Sequence, residues 1–148
     1  MKSNFEDRLM EEQADMIDIC LEYVQRAAEK IFIYCSCEDN FLYCNFFYQI
    51  NREMIRKHEL NKIGNREFKI SDDAQDQALS ILSEDYLEIK KLCEANNCEF
   101  PTEIRLEYDV NKNHLDSYYR YGLNYSKRPE LSPGMIEREW FEQLKQNS

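Results

Sequence analysis

Along residues 31–50, IFIYCSCEDNFLYCNFFYQI, the chain alternates between two sets of side chains on either side of Asp39 and Asn40, the pattern of two strands folded on a two-residue turn. With Asp39 and Asn40 at the tip, Glu38 pairs with Phe41, Cys37 with Leu42, Cys35 with Cys44, Ile33 with Phe46 and Ile31 with Tyr48. One face of this hairpin is apolar throughout. The other sets Phe32, Tyr34 and Ser36 against Phe47, Asn45 and Tyr43, which are aromatic yet able to hydrogen-bond. The first face needs a helix over it, and the second is free to meet a partner.

The flanking segments change period. Residues 5–30 contain no Gly or Pro, and Phe5, Leu9, Met16, Cys20, Tyr23 and Ala27 recur at helical spacing, which predicts a long amphipathic first helix. Residues 51–70 are mixed; 54–60 read as a third strand, with Gly64 and Asn65 marking a turn. Ser71 followed by Asp72, Asp73 and Asp76 is a helix start, a hydroxyl to accept a backbone N–H and then acids at the positive end of the dipole. Ala74, Ala78, Ile81, Leu82, Leu87, Ile89 and Leu92 give that helix its apolar side, Asn96 and Asn97 its end, and Ser83 an expected bend.

After Pro101 alternation returns, with Ile104, Leu106, Tyr108 and Val110 on one side and Glu103, Arg105, Glu107 and Asp109 on the other. A turn at Lys112 and Asn113 sets Leu115 beside Val110, Tyr119 beside Leu106 and Tyr121 beside Ile104. The outer face then pairs Asp109 with Asp116, Glu107 with Tyr118 and Arg105 with Arg120. A last helix begins at Ser132 and Pro133 and carries Ile136, Trp140 and Leu144 at i, i+4 and i+8. The order α-β-β-(β)-α-β-β-α predicts an α+β fold, an antiparallel sheet packed on one face by helices.

At 148 residues the chain is read as a single domain, large enough to bury roughly 68–70% of its unfolded surface. It has 29 acids against 19 bases, a net charge of -10, which disfavours nucleic acid and anionic membrane as partners and favours a basic protein. No signal peptide or membrane span stands out, so a cytoplasmic location is expected, with its six cysteines as reduced thiols.

Catalytic equipment is sparse. Cys35, Cys37 and Cys44 would cluster on the hairpin's apolar face, but mid-strand thiols among Ile33, Leu42 and Phe46 read as small hydrophobes rather than as a zinc knuckle. His58 and His114 lie in no ligand or nucleophile pattern, and Gly64, Gly122 and Gly134 stand too far apart for a phosphate loop. No metal or cofactor is expected, and no enzymatic activity. Tyr118, Tyr119, Tyr121 and Tyr125 instead form a dense run of the amphipathic side chains enriched at interface hot spots.

The order of elements resembles the YezG-like immunity proteins, small acidic antitoxins that neutralise polymorphic bacterial toxins, commonly nucleases. The resemblance rests on AEKIFIYCSC, NFLYCNFFYQI, LSILSEDYLEIKKLCEANN, EIRLEYDVNKNHLDSYY and SPGMIEREWFEQL, and covers most of residues 15–145. It departs from the family at the hairpin tip, where EDN replaces a glycine-rich loop, and in residues 51–70.

What the resemblance implies is a non-enzymatic binder that occludes its cognate toxin. A nuclease presents basic residues to phosphate, so an acidic surface can steer encounter and block substrate. The contact set expected from the sequence is Glu107, Asp109, Asp116 and Tyr118 on the second hairpin, with Tyr34 and Tyr43 from the first. The same surfaces suit a non-inhibitory adaptor or secretion chaperone, the alternative reading.

Overall fold

The computed structural model describes residues 2–63 and 67–147, so the turn expected at Gly64 and Asn65 lies outside the described residues. Helix α1 spans Lys2–Tyr23. It stops short of the expected residue 30 because Gln25 and Arg26 take left-handed backbone (φ 53° and 62°), and the Arg26 N–H closes onto the Leu21 carbonyl at 2.8 Å.

Strands β1 (Lys30–Glu38) and β2 (Phe41–Ile50) pair in the predicted register, from Ile31 opposite Tyr48 to Glu38 opposite Phe41. Asp39 and Asn40 both have positive φ (49° and 65°), as a type I′ turn requires. The device repeats at Asn51 and Arg52 (53° and 67°), which lead into β3, Glu53–Arg56. The third strand is thus shorter than expected: Leu60 leaves it for a single 3-10 turn, Leu60–Ile63, and is itself fully buried.

Helix α2, Asp72–Ala95, starts where Ser71 Oγ accepts the Ala74 N–H at 3.2 Å and runs through Ser83 as one helix to Asn96. Strands β4 (Glu103–Asp109) and β5 (His114–Arg120) form the second hairpin, and α3 (Pro133–Gln146) starts with Ser132 Oγ accepting the Met135 N–H. The five strands make one antiparallel sheet in the order β3-β2-β1-β4-β5, giving the α+β architecture expected. No helix among the described residues is long and apolar enough to cross a membrane.

Helices α1 and α2 cover the inner face, burying Met16, Cys20, Leu82, Tyr86 and Ile89 against Ile31, Ile33, Phe46 and Leu106. The third helix does not join them. It crosses to the opposite face, where Trp140 and Phe141 pack on Phe32, Tyr34, Phe47 and Met54. Its approach is pinned by Glu38, whose carboxylate accepts the N–H groups of Asn124 (2.8 Å) and Ser126 (3.1 Å) and the Ser126 hydroxyl (2.8 Å). Desolvation works against ionisation of this carboxyl, yet those donors hold it below the ordinary glutamate range.

The α1–α2 seam contains one electrostatic misfit. Asp85 is buried, with an Oδ2 that finds no donor among the described residues, beside the carboxylates of Asp15 and Glu12. Burial, and then those neighbours, push its carboxyl up to about 9. Two carboxylates can share a hydrogen bond only if one holds a proton, so folding favours protonated Asp85. In the unfolded chain it titrates near 3.9. Its contribution is therefore intact below about pH 4 and is lost as pH rises toward about 9. Water around the exposed Asp15 moderates the cost. Asp85→Asn should raise the unfolding free energy by about 1–2 kcal/mol at pH 8. Against the parent chain, the gain should vanish near pH 4, as urea titrations at both pH values would show.

Candidate functional site

The outer face of the sheet divides into a covered and an open half. Cross-strand registers place Asn45, Tyr34, Arg105 and Tyr118 in one row, and Phe47, Phe32, Glu107 and Asp116 in the next. Trp140 sits over the β1–β2 part of both rows, with ring centroids 5.1 Å from Phe47 and 5.8 Å from Phe32. Past Arg105, which Trp140 also reaches, no helix among the described residues packs on the β4–β5 part.

Four of the residues singled out from the sequence remain together on this open half. Glu107, Asp109 and Asp116 are half-buried, and Tyr118 is 54% exposed. Their pairing differs from that expected, since the register is displaced by two residues: Glu107 lies opposite Asp116, Asp109 opposite His114 and Arg105 opposite Tyr118. The like-charge pair at the centre is thus Glu107 with Asp116, not Asp109 with Asp116. His114 Nε2 lies 3.0 Å from Asp116 Oδ1, and Asp109 accepts the Lys112 N–H at 3.0 Å. Glu107 makes no hydrogen bond or ion pair among the described residues. The acids beside Tyr118 contribute to raising its phenol above the usual range, after desolvation.

The first-hairpin tyrosines do not join this patch. Tyr34 is fully buried beneath α3, where its hydroxyl donates to Glu103 Oε1 at 3.0 Å, so it is not presented to a partner. Burial and the neighbouring Glu103 push its phenol far up, keeping it a neutral donor. Tyr43 is half-buried at the first turn of α3, its hydroxyl accepting from Asn45 at 3.2 Å. It lies in the row of Ser36, Glu103 and Arg120, three strands from the sheet edge, a separation of roughly 14 Å.

Arg105 marks the border between the halves. Its guanidinium bonds Glu103 at 2.9 Å and lies 5.2 Å from the Trp140 ring and 5.7 Å from Tyr34. Beyond it, a cleft of about 450 Å³ separates α3 from the hairpin, lined by Arg105, Tyr118, Arg120, Trp140, Gln143 and Leu144. Alternation places Tyr119 on the inner face, as expected, yet it remains 40% exposed; Gln13 Nε2 of α1 donates to its hydroxyl at 2.6 Å, and Phe5 and Leu9 of α1 line a pocket beside it. Tyr121, 48% exposed, borders the same inner-side pocket as Tyr119, together with Phe5, Leu9 and Cys93, so these two rings lie across the sheet from the acidic patch. The signal for them was the tyrosine run itself.

The cysteines play no part in the acidic patch. Cys35 and Cys44 are cross-strand partners in the inner core, and burial, followed by the neighbouring thiol, keeps Cys35 neutral by raising it well above the usual range. Among the described residues no group of His, Cys, Asp and Glu is arranged to hold a metal. What remains is an open, acid-centred sheet surface with Tyr118 beside the Glu107–Asp116 pair. No protein-family model matches the chain, and no curated protein matches it.

Proposed function

We propose that this chain is an immunity protein, which binds a basic bacterial toxin of the nuclease class and occludes its substrate surface. The observation that carries the reading is the Glu107–Asp116 pair, two carboxylates set opposite each other on the open half of the sheet beside exposed Tyr118. Opposed like charges cost a free hairpin about 0.2–1 kcal/mol, a cost that a partner's lysine or arginine would turn into attraction. The net charge of -10 adds long-range steering toward such a partner. Tyrosine at the centre of the patch supplies rigid, amphipathic contact area.

Co-expression with the polypeptide encoded beside this gene, scored for rescue of growth, tests the reading; absence of any protection or complex would refute it. Glu107→Lys separates binding from folding. It replaces a repulsive pair with an attractive one, so hairpin stability should be unchanged or higher by about 0.2–1 kcal/mol. Association with the toxin should nonetheless slow by about 10- to 100-fold at low salt, with the difference shrinking at high salt. Stopped-flow association rates at two ionic strengths provide the measurement.

A further inference from the structure

The sheet ends on one side in β5, and the direction of its unused hydrogen bonds can be read from the ladder. The Val110 N–H bonds the Glu29 carbonyl and the Cys37 N–H bonds the Thr102 carbonyl, both at 2.9 Å, so even-numbered residues of the β4 segment face β1. Odd-numbered residues of β4 therefore face β5, and by the register they meet His114, Asp116, Tyr118 and Arg120. The backbone groups of Leu115, Ser117 and Tyr119 point away from the sheet, along an open edge.

Edge strands are commonly blunted by lysine, proline, a bulge or a covering element. β5 contains neither lysine nor proline, and its pairing with β4 is unbroken over seven positions. The opposite edge, β3, is only four residues long, and its Arg56 is tied to α3 through Glu137.

We infer that β5 accepts an added strand from a basic partner protein, extending the sheet to six. This rests on the function proposed above and specifies how the partner is held. A strand laid along β5 alternates between two surroundings. Side chains on the outer face meet Asp116, with Glu107 behind it, and the exposed ring of Tyr118, which together favour lysine or arginine. Side chains on the inner face meet Leu115 and a groove of about 430 Å³ whose α1 side carries Met10, Ala14 and Leu21, which accept apolar residues, and also Asp18 and Arg26. The matching segment is therefore an extended run alternating basic and apolar residues. A second copy of this chain fits poorly: antiparallel pairing about Ser117 sets His114 against Arg120 twice, between molecules that each carry a net charge of -10.

The test uses the full chain alone and as the complex purified from the co-expression above, followed by residue-resolved amide hydrogen exchange. In the complex the amides of Leu115, Ser117 and Tyr119 should slow by about tenfold or more, while those of Asp116 and Tyr118, already bonded to β4, change far less. Ser117→Pro removes one edge N–H without breaking a bond to β4, and should weaken the complex about tenfold. Ser117→Ala, which loses only the hydroxyl bond to Gln13, should bind as the parent does. A complex whose edge amides exchange as fast as in the free chain overturns strand addition and leaves the immunity reading standing. Failure to form any complex overturns both. Self-association of the free chain with the same amides protected assigns the edge to a second copy, and so overturns the proposal. If Ser117→Pro does not fold, the exchange measurement on the unaltered chain decides.

Discussion

Trp140→Ala is expected to lower the unfolding free energy by about 3–5 kcal/mol, the range for deleting a large buried aromatic side chain. The indole touches Phe32 and Phe47 edge-on and Tyr34 at a tilt, with centroid separations of 5.8, 5.1 and 6.5 Å, and holds the Arg105 guanidinium 5.2 Å from its ring centre. Few other large side chains of α3 reach the sheet: Phe141 is buried, while Ile136 and Leu144 pack at the margin. Without the indole, the first hairpin's outer aromatic face is left beneath a void, and α3 loses its central anchor. The melting temperature should fall by about 10 °C or more in a chain of this size. Urea titration checks the result: the midpoint should drop with little change in slope, and Trp140→Phe should recover much of the loss.

Glu137→Ala should be nearly as damaging, at about 3 kcal/mol, because it orphans a cation rather than merely opening a space. Glu137 is 1% exposed and accepts two bonds of 2.7 Å from Arg56 and one of 3.2 Å from Asn45. The guanidinium lies 4.7 Å from the Phe141 ring and 5.6 Å from that of Phe47, so removing the carboxylate strands a charge between aromatic walls. Nearby Lys57 is already depressed by desolvation and then by Arg56, so it would face an unopposed neighbour. Replacing both partners with methionine should restore most of the stability, since a well-filled apolar pair avoids the desolvation cost that the ions carry. A double-mutant cycle in urea gives the coupling directly, and a double variant no better than Glu137→Ala would show that the site depends on more than paired charge.

The first hairpin was legible residue by residue because Asp39 and Asn40 tolerate left-handed backbone, which fixes a two-residue tip and every pair behind it. The second was legible only to within two positions. There Asp109 caps the Lys112 N–H and Asn113 alone takes positive φ, so the loop spans four residues between Asp109 and His114. A shift of two preserves which residues share a face, so the acidic surface survived while its pairings changed.

The placement of α3 was harder to read. Its stripe of Ile136, Trp140 and Leu144 shows that the helix is amphipathic but not which side of the sheet it covers. The clue lay in the partner surface: Phe32, Tyr34 and Phe47 form too large a contiguous aromatic face to stand open, and α3 closes it. Asp85 was not legible, because its neighbours Asp15 and Glu12 come from another helix, and such an encounter depends on how the helices pair.

The crossing of α3 leaves the molecule three layers deep at β2 and two layers deep at β5. Ladder bonds in the thick part must break through packed aromatic rings before water reaches them, whereas those of β5 have solvent along one edge and over one face. The fold is therefore graded from a stiff end to a compliant one. Opening of the last strand would leave the aromatic core beneath α3 in place, so the strand proposed above to accept a partner is one whose rearrangement costs the rest of the molecule little.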